Sequence, residues 1–343
     1  MRTCCFTSFT FAYAGRATVM ANSVRREHPD WHLCAVIADK APEGVDLSFL
    51  SIFDIVLYPW QLGIPSLPSW LFKHDLVEAC TAVKGHALVR LLETYDAAVF
   101  LDPDVVLFGA LDELESLFEQ NSIILTPHQT AANCSPRAIG DNEATSMLFG
   151  IYNLGFVAVK NSPDGVAFAR WWASMLLKAC YDDLPSGLFT DQKYCDLVPG
   201  LFETVCVLRD PGWNVASWNL STRTLEICRD GNIRVDGSPL KFFHFSKIDG
   251  VGDVMSSLYS KAGSATNEIW EWYRSQIREY QPSWTRHHQW YYSRFDNGVP
   301  IDTAARQLYR HRQDLIQAFP NPFSSSKGYH DWLNSEGLLQ QAM

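Results

Sequence analysis

The stretch "YDAAVFLDPDVVLFGALDEL", residues 95–114, places two aspartates at the end of an apolar run. "AAVFL" has the length and composition of a buried β-strand, and Asp102 and Asp104 follow it on either side of Pro103. Carboxylates withdrawn from water cost free energy unless they are paired or bind a cation. Their oxygens suit Mg²⁺ or Mn²⁺, although an exposed Asx-Pro turn has the same local sequence.

Short apolar runs alternate with helical patterns around this strand. Strands are predicted for "TCCFTSF", "HLCAVIAD", "FDIVLYP", "NSIILTPH", "NLGFVAVK" and "LKFFHF", and helical segments for "AGRATVMANSVRREH", "SWLFKHDLVEACTAVKGHALVRLLET" and "GVAFARWWASMLLKACYD". The alternation is typical of an α/β protein with a mainly parallel central sheet flanked by helices. Ligands bind beyond the carboxyl ends of the strands in such sheets, where we expect Asp102 and Asp104.

Two segments between these elements have the residues of turns and loops. Asp230-Gly231 in "LEICRDGNIRV" predicts a β-hairpin. The polar residues 129–142, with their Gly and Pro, predict a mobile loop. His128 and Glu143 bracket that loop, and either a substrate contact or ordinary loop polarity accounts for them.

The composition narrows the function classes. The chain has 343 residues, 47% of them hydrophobic, and a formal net charge of −10, which argues against a nucleic-acid partner. The nine cysteines include no CxxC pattern and predict reduced thiols in the cytoplasm. The start "MRTCCFTSFTFAYAGRATVMA" is interrupted by polar residues, so a first strand is favoured over a signal peptide, and no window predicts a membrane span.

The chain changes character near residue 264. Residues 264–343 hold eight Lys and Arg against eight Asp and Glu and are rich in aromatic residues, as in "WEWYRSQIREYQPSWTRHHQWYYSRF". We predict a helical C-terminal extension that packs on residues 1–263. An acceptor site and a surface for peripheral membrane association at the inner face of the membrane are the alternatives, and the neutral charge weakens the second.

Four features in one order point to a family. The Asp-Pro-Asp after its strand, "YNLGFVAV", "DQKYCD" and "FFHF" together resemble the GT-A fold glycosyltransferases, most closely the glycosyltransferase family 8-like branch. The resemblance spans about residues 1–250. It implies a GT-A (Rossmann-like) catalytic domain over residues 1–263, with the nucleotide-sugar half at about 1–127 and the acceptor half at about 143–250.

The resemblance also implies roles for individual residues. Asp102 and Asp104 would bind Mn²⁺ or Mg²⁺ with His244 as the third protein ligand. Asp191 and Gln192 would face the donor sugar and the reacting centre.

Further residues would hold the donor. Asn153 would line the same cleft, and Gly155 would allow close backbone approach. Lys84 matches a cationic residue that family members place before the Asp-x-Asp strand. Lys247 would contact the diphosphate, although it follows the late histidine by only three residues, which is closer than in the family pattern.

Two aromatic segments have a functional and a structural interpretation. Thr7 and Tyr13, with Phe11, are expected near the end of the first strand, where a nucleotide base would lie. Packing in the core is the alternative. Residues 209–220, "RDPGWNVASWNL", would form an acceptor wall where aromatic rings meet sugars, or a structural loop. Trp171-Trp172 lies on a helical pattern and is expected in the core.

The chemistry agrees with this assignment. Negative charge develops on the leaving diphosphate during sugar transfer, and a divalent cation stabilises it. A glycosidase instead needs two acids facing each other across the bond, which two aspartates on one loop do not provide.

We therefore predict a metal-dependent glycosyltransferase of polysaccharide or glycoconjugate biosynthesis. Its donor would be a nucleotide diphosphate-sugar, a UDP-sugar by preference, and its acceptor a hydroxyl of a glycan or lipid-linked acceptor. The resemblance implies retention of configuration. An inverting enzyme would need a general base, for which Asp191 or Glu143 could serve.

Two rival functions stay open. A sugar-phosphate nucleotidyltransferase would show a Gly-rich, basic loop after the first strand, which "TFAYAGRA" matches weakly. A non-catalytic carbohydrate-binding protein would have no need for all of these motifs.

Overall fold

The computed structural model describes residues 1–261 and 265–339. Its strands are β1 (Thr3–Phe9), β2 (His32–Ile37), β3 (Ile55–Leu57), β4 (Ala97–Leu101), β5 (Val105–Leu107), β6 (Ile123–Pro127), β7 (Tyr152–Lys160), β8 (Asp182–Asp183), β9 (Leu188–Phe189), β10 (Val205–Val207), β11 (Val215–Ala216), β12 (Leu225–Ile227), β13 (Ile233–Val235), β14 (Ser238–Pro239) and β15 (Phe242–His244).

The helices lie between and after these strands. They are α1 (Ala14–Glu27), α2 (Leu67–Phe72), α3 (Leu76–Leu92), α4 (Glu113–Gln120), α5 (Pro136–Ala138), α6 (Thr145–Phe149), α7 (Pro163–Ala179), α8 (Val198–Leu201), α9 (Val251–Tyr259), α10 (Thr266–Tyr280), α11 (Thr303–His311), α12 (Gln313–Ala318) and α13 (Tyr329–Ser335).

The central sheet has seven strands in the order β10-β6-β7-β4-β1-β2-β3. β7 runs antiparallel to both of its neighbours, and the other adjacent strands pair in parallel. The predicted fold class, a mainly parallel α/β sheet flanked by helices, is therefore confirmed. The edge strand β10 was not predicted, because three residues are too few to show a pattern.

Both faces of the sheet are covered. Side chains of β1 alternate between two cores: Cys4 and Phe6 pack with α3 and α7, whereas Cys5 and Phe9 pack with α1 and α4. Burial on both faces is the reason why these strands read as continuous apolar runs. Trp172 is fully buried in the first core, as expected.

A small second sheet lies beside the end of β4. Its order is β11-β15-β5, and β15 runs antiparallel to β5, which starts directly after Asp104. His244 pairs with Val105 across this sheet, and the amide of Phe245 donates to the Asp104 carbonyl at 2.8 Å. The predicted hairpin at Asp230-Gly231 is confirmed by the antiparallel pairing of β12 with β13.

The prediction of a mobile loop over residues 129–142 is wrong for its second half. α5, a π-helical turn at Ile139–Ala144 and α6 follow one another there. Pro136 occupies the first turn of α5, where its missing N–H costs nothing, and the Ser135 hydroxyl accepts from the Ala138 amide at 3.1 Å. The Asn142 side chain is buried and donates to Ser221, so the turn is anchored.

The C-terminal residues pack on the rest of the chain. α10 lies against α1, and a second group of tail aromatic rings surrounds Phe72 of α2. The segment after α10 covers the end of β2, where the Trp290 indole donates to the Ala38 carbonyl and His288 lies 2.9 Å from Asp39. The predicted domain boundary between residues 263 and 264 lies outside the described residues, and the division into domains stays a prediction.

Candidate functional site

The side chains singled out by the sequence meet at one edge of the central sheet. β4 ends at Leu101, and because β7 is antiparallel to it, the start of β7 lies at the same edge. The Asp102 amide donates to the Gly155 carbonyl at 2.9 Å, which fixes the aspartate turn to the "YNLG" segment. The structure thus brings together Asp102, Asp104, Asn153 and His244, which are distant in sequence.

Asp102, Asp104 and His244 form a compact group. The Nε2 of His244 lies 3.0 Å from a carboxylate oxygen of Asp104 and 3.8 Å from one of Asp102. One ligand atom from each residue lies within 4.8 Å of the other two. Two carboxylates and one imidazole are a donor set that suits a divalent cation such as Mn²⁺, so these residues fit the metal that the sequence predicts.

Asn153 orients the histidine. Its Oδ1 accepts from the Gly155 amide at 3.2 Å and lies 3.0 Å from Nδ1 of His244, while its Nδ2 donates to the Gln192 Oε1 at 3.3 Å. These contacts place a proton on Nδ1 of His244 and turn Nε2 toward the two carboxylates. A fixed ring of this kind is what metal-binding histidines require.

Gly155 leaves room for the same ring. A Cβ at this position would collide with the imidazole of His244, coming within 2.5 Å of its Nδ1. The close approach that the sequence predicts here is therefore made by a protein side chain.

Lys84 lies next to this group, and its ammonium is surrounded by protein oxygens. Its ammonium is 3.1 Å from Asp102, 2.9 Å from Asp191 and 3.2 Å from the Leu154 carbonyl, with only 2% of the side chain exposed. The contacts with Asp102 and Leu154 are hydrogen bonds and the contact with Asp191 is an ion pair, so protein oxygens occupy the ammonium. Lys84 thus ties two carboxylates to each other.

The electrostatics of the group follow from burial and pairing. Burial alone would favour neutral carboxylates, but the imidazole of His244 outweighs it at Asp104 and holds the pKa of that carboxyl below its usual range. Burial raises the pKa of Asp102, with Lys84 and His244 opposing the rise. The carboxylates in turn raise the pKa of His244 above its usual value, against its burial.

Gln192 and Asp191 are both buried and both tied down. The Gln192 Oε1 accepts from the Leu154 amide at 3.2 Å, and its Nε2 donates to the Phe149 carbonyl at 3.1 Å. Asp191 accepts from the Thr190 hydroxyl at 3.2 Å and is paired with Lys84. The pair lies next to Asn153 and links α6 to the sheet edge.

Three further residues from the sequence prediction, Thr7, Phe11 and Tyr13, lie around the end of β1. Thr7 is fully buried within β1, and Phe11 of the following turn packs against Trp284 with ring centroids 5.2 Å apart. Tyr13 is 37% exposed just before α1. The core interpretation therefore describes Phe11, and of these three side chains Tyr13 is the one that solvent reaches.

Lys247 is exposed in the loop after β15. Its φ of 51° lies in the left-handed region, which favours glycine. The amides of Gly250 and Gly252 donate to its carbonyl, so the loop forms a tight turn there.

The acceptor-wall segment contributes Trp218. Its ring centroid is 5.1 Å from that of His244 and 5.3 Å from that of His128, both edge to face. His128 is buried and its ring contacts Asn153 at 3.3 Å, so it belongs to the site. Glu143 instead accepts from the Asn133 amide.

The sequence gives Arg16 no role in the predicted site and includes it only in "TFAYAGRA", the weak match to a basic loop, whereas the structure places it at the same edge. The signal that could have found it is its position in the first turn of the helix that follows β1, because a helix after a parallel strand begins at the edge where ligands bind.

Comparisons with known proteins identify relatives in sequence and solved structures with a similar fold. No model of a protein family matches the sequence. The uncharacterized protein YfnF of Bacillus subtilis (strain 168) is 40% identical over 100 residues, 29% of this chain and 33% of YfnF, and the uncharacterized protein YfnD of the same organism is 28% identical over 237 residues, 66% of this chain and 72% of YfnD. The chain therefore matches about a third of the length of YfnF.

Three solved structures illustrate the likeness in fold. The galactosyltransferase LgtC in complex with donor and acceptor sugar analogs has a TM-score of 0.46 at 16% identity, covering 83% of this chain and 99% of that one. The bifunctional glycosyltransferase WbbM has a TM-score of 0.45 at 16% identity, covering 79% and 51%. Mouse xyloside xylosyltransferase 1 has a TM-score of 0.41 at 14% identity, covering 72% and 98%.

Proposed function

We propose that this chain is a metal-dependent glycosyltransferase of the GT-A type, in the family 8-like branch. It would move a sugar from a nucleoside diphosphate donor, a UDP-sugar by preference, to a hydroxyl of a glycan or lipid-linked acceptor in polysaccharide or glycoconjugate biosynthesis. The observation that carries the proposal is the group of Asp102, Asp104 and His244 at the sheet edge, with His244 oriented by Asn153.

The metal would be held by Asp102, Asp104 and His244. A bound Mn²⁺ or Mg²⁺ supplies a Lewis acid for the charge that develops on the leaving diphosphate. The protein's own contribution is to fix the ring of His244 through Asn153 and the carboxylate of Asp102 through Lys84.

Lys84, Asp191 and Gln192 would act behind this group. Because the ammonium of Lys84 is used up by protein oxygens, we assign it a positioning role for Asp102 and Asp191. Gln192 and Asp191 would face the donor sugar, and transfer would proceed with retention.

The acceptor would lie against Trp218, whose ring borders both His244 and His128. Aromatic faces beside a reacting centre suit the apolar faces of sugar rings. Residues 1–263 would form the catalytic domain and residues 264–343 its helical extension. We propose action in the cytoplasm, with peripheral contact to the inner membrane face; among the described residues, no helix has both the length and the apolar character needed to cross a bilayer.

Thermal unfolding with nucleoside diphosphates tests the proposal. Wild-type protein is heated with UDP, GDP, ADP, CDP or dTDP, each with and without Mn²⁺. A ligand at 100 times its Kd stabilises the native state by about 2.7 kcal/mol. We expect one nucleotide to stabilise the protein, and more strongly with Mn²⁺; if none does so at any metal concentration, the donor site is refuted.

Replacing one carboxylate tests the metal assignment. Asp104→Asn removes a ligand charge while keeping the side-chain shape, so we expect loss of the Mn²⁺-dependent stabilisation and at least a hundredfold loss of sugar transfer, on the scale of a lost electrostatic contact to the transition state. The matched control is Asp112→Asn, an exposed aspartate a few residues on, which should behave as wild type. Normal metal response in Asp104→Asn would exclude this residue as a ligand.

A further inference from the structure

Arg16 lies where two loops of the proposed metal site meet. α1 runs alongside β5: Arg26 donates to the Leu107 carbonyl, the Ser23 hydroxyl accepts from the Leu107 amide, and Val19 shares a core with Val106. α1 and β5 therefore run in the same direction, so residues nearer the start of α1 lie beside residues nearer the start of β5. Arg16 comes one turn before Val19 and so reaches the level of Asp104, which directly precedes β5.

The contacts of the guanidinium confirm this place. It donates to the Asp249 carboxylate at 2.8 Å and lies over the ring of Tyr13 at 4.4 Å. Asp249 belongs to the loop that follows His244. Arg16 therefore bridges the β1–α1 turn and the loop after β15, beside the loop of Asp104.

The ion pair between Arg16 and Asp249 is one in which a ligand can take the place of Asp249. The Asp249 side chain is 76% exposed, whereas that of Arg16 is 16% exposed. An ion pair with one partner in solvent contributes little stability. The guanidinium also lies over the ring of Tyr13, whereas most of the Asp249 side chain is already in solvent.

A second observation at this place is an unsatisfied hydroxyl. Tyr273 of α10 is fully buried, and its hydroxyl has no hydrogen-bond partner within residues 1–261 and 265–339. Its ring stacks on Phe245, with centroids 3.9 Å apart, and the Phe245 amide donates to the Asp104 carbonyl. Burial raises the pKa of Tyr273, and the charge of Asp104 adds to the rise while that of Arg16 opposes it.

Even with a divalent cation at Asp102 and Asp104, the carboxylates of the site favour a further cationic side chain beside a diphosphate. A diphosphate that binds next to Asp102, Asp104 and Asp191 meets three carboxylates, and Lys84 is fully engaged with two of them. A guanidinium forms paired hydrogen bonds with phosphate oxygens, a geometry that the ammonium of the exposed Lys247 does not provide.

We propose that Arg16 is the cationic side chain that binds the donor's diphosphate, at a subsite whose floor is the hydroxyl of Tyr273. The assignment rests on the proposed function and adds to it a phosphate-binding residue from the first helix and one from the C-terminal extension. The diphosphate takes the place of Asp249 as the partner of Arg16.

Calorimetric titration with Mn²⁺ tests the proposal, using UDP and uridine, or the diphosphate and nucleoside of whichever base stabilises the wild type most. Loss of a charge-assisted hydrogen bond pair predicts that Arg16→Gln weakens diphosphate binding by about tenfold or more. Nucleoside binding should stay as in wild type, because the base is not contacted by the guanidinium. Arg16→Lys, which keeps the charge, should retain part of the affinity.

Controls separate the outcomes. Arg90→Gln removes an exposed arginine on α3 and should leave diphosphate affinity unchanged. Asp249→Asn frees Arg16 from its partner and should bind the diphosphate at least as tightly as wild type. If Arg16→Gln, folded by circular dichroism, binds the diphosphate as wild type does, Arg16 is not its ligand.

Tyr273→Phe keeps the ring stacking and removes only the hydroxyl. We expect a loss of a few-fold in diphosphate affinity, and unchanged affinity would take Tyr273 out of the subsite. A wild-type protein that binds none of the nucleotides would instead refute the proposed function itself.

Discussion

Gly155 shows how one missing side chain shapes the site. The His244 ring occupies the space that a Cβ would fill. Gly155→Ala should therefore displace the imidazole, weaken the Mn²⁺-dependent response to nucleotide by at least tenfold, and destabilise the fold by about 1–3 kcal/mol through overpacking. Thermal unfolding with and without Mn²⁺ measures both effects.

A second glycine provides the control. Gly140 has nothing within 4 Å of an added Cβ, so Gly140→Ala should change neither the stability nor the metal response by much. Equal behaviour of the two alanine variants would mean that the ring of His244 moves without consequence for the site.

Lys84 is the other residue whose replacement has a sharp outcome. Lys84→Met leaves the buried carboxylate of Asp191 without its cation. Removing one partner of a buried ion pair costs about 3–5 kcal/mol. Urea unfolding should show this loss, and the double variant Lys84→Met, Asp191→Asn should recover part of it, because the buried charge of Asp191 is then removed together with its partner. A double variant less stable than Lys84→Met would argue against the pairing.

Among the elements, α3 depends on a capping box. The Asp75 carboxylate accepts from the Glu78 amide at 2.8 Å, and the Glu78 side chain accepts from the Asp75 amide at 2.9 Å. The sequence pattern predicts a single helical segment over residues 69–94. The capping box divides this segment, because it starts a new helix at Leu76. α3 carries Lys84, so its start fixes the position of that ammonium along the sheet.

Asp75→Ala should lower the free energy of unfolding by about 1 kcal/mol, within the range of 0.5–2 for a lost N-cap. Asp112 is the matched control, because it occupies the N-cap of α4 but its side chain makes no capping hydrogen bond. Asp112→Ala should be near neutral in the same urea titration. If Asp112→Ala lowered the free energy of unfolding as much as Asp75→Ala, the capping hydrogen bond of Asp75 would not explain the loss.

The central strands could be predicted from the sequence because apolar runs such as "AAVFL" are buried on both faces. The helices at residues 136–149 could not, since Pro136 and Gly140 indicate a loop and the anchoring contact from Asn142 to Ser221 lies 79 residues away. β10 is held by β6 rather than by its own composition.

The candidate site, too, could be predicted from the sequence only in part. Asp102, Asp104 and His244 could be proposed from residue type and order, whereas the meeting of His244 with Asn153 depends on two antiparallel pairings, β4 with β7 and β5 with β15. The contacts of Lys84 depend on helix packing that no local pattern specifies, whereas Arg16 could have been found from its place in the first turn of α1.

At the scale of the whole molecule, the C-terminal extension and the sheet are joined through α2 and the turn after it. The Arg306 guanidinium donates to the carbonyls of Phe72 and His74, at 3.0 and 2.8 Å, and Phe72 packs among tail aromatic rings. His74 lies at the centre of this junction, fully buried, with Nδ1 2.7 Å from the Trp70 carbonyl. Unfolding the junction therefore exposes an imidazole that the native state keeps from water.

This burial makes stability depend on pH. Burial, aided by the charges of Arg310 and Arg306, lowers the pKa of His74 to about 3, whereas an unfolded chain has a histidine pKa near 6.5. Between these values the unfolded state binds the extra proton, so stability is lost as the pH falls below about 6.5. From pH 7 to pH 5 this linkage is about 2 kcal/mol. Urea unfolding at both values should show His74→Gln losing about 2 kcal/mol less than wild type over that interval, whatever its stability at pH 7; equal losses in the two proteins would mean that native His74 takes up its proton as freely as the unfolded chain.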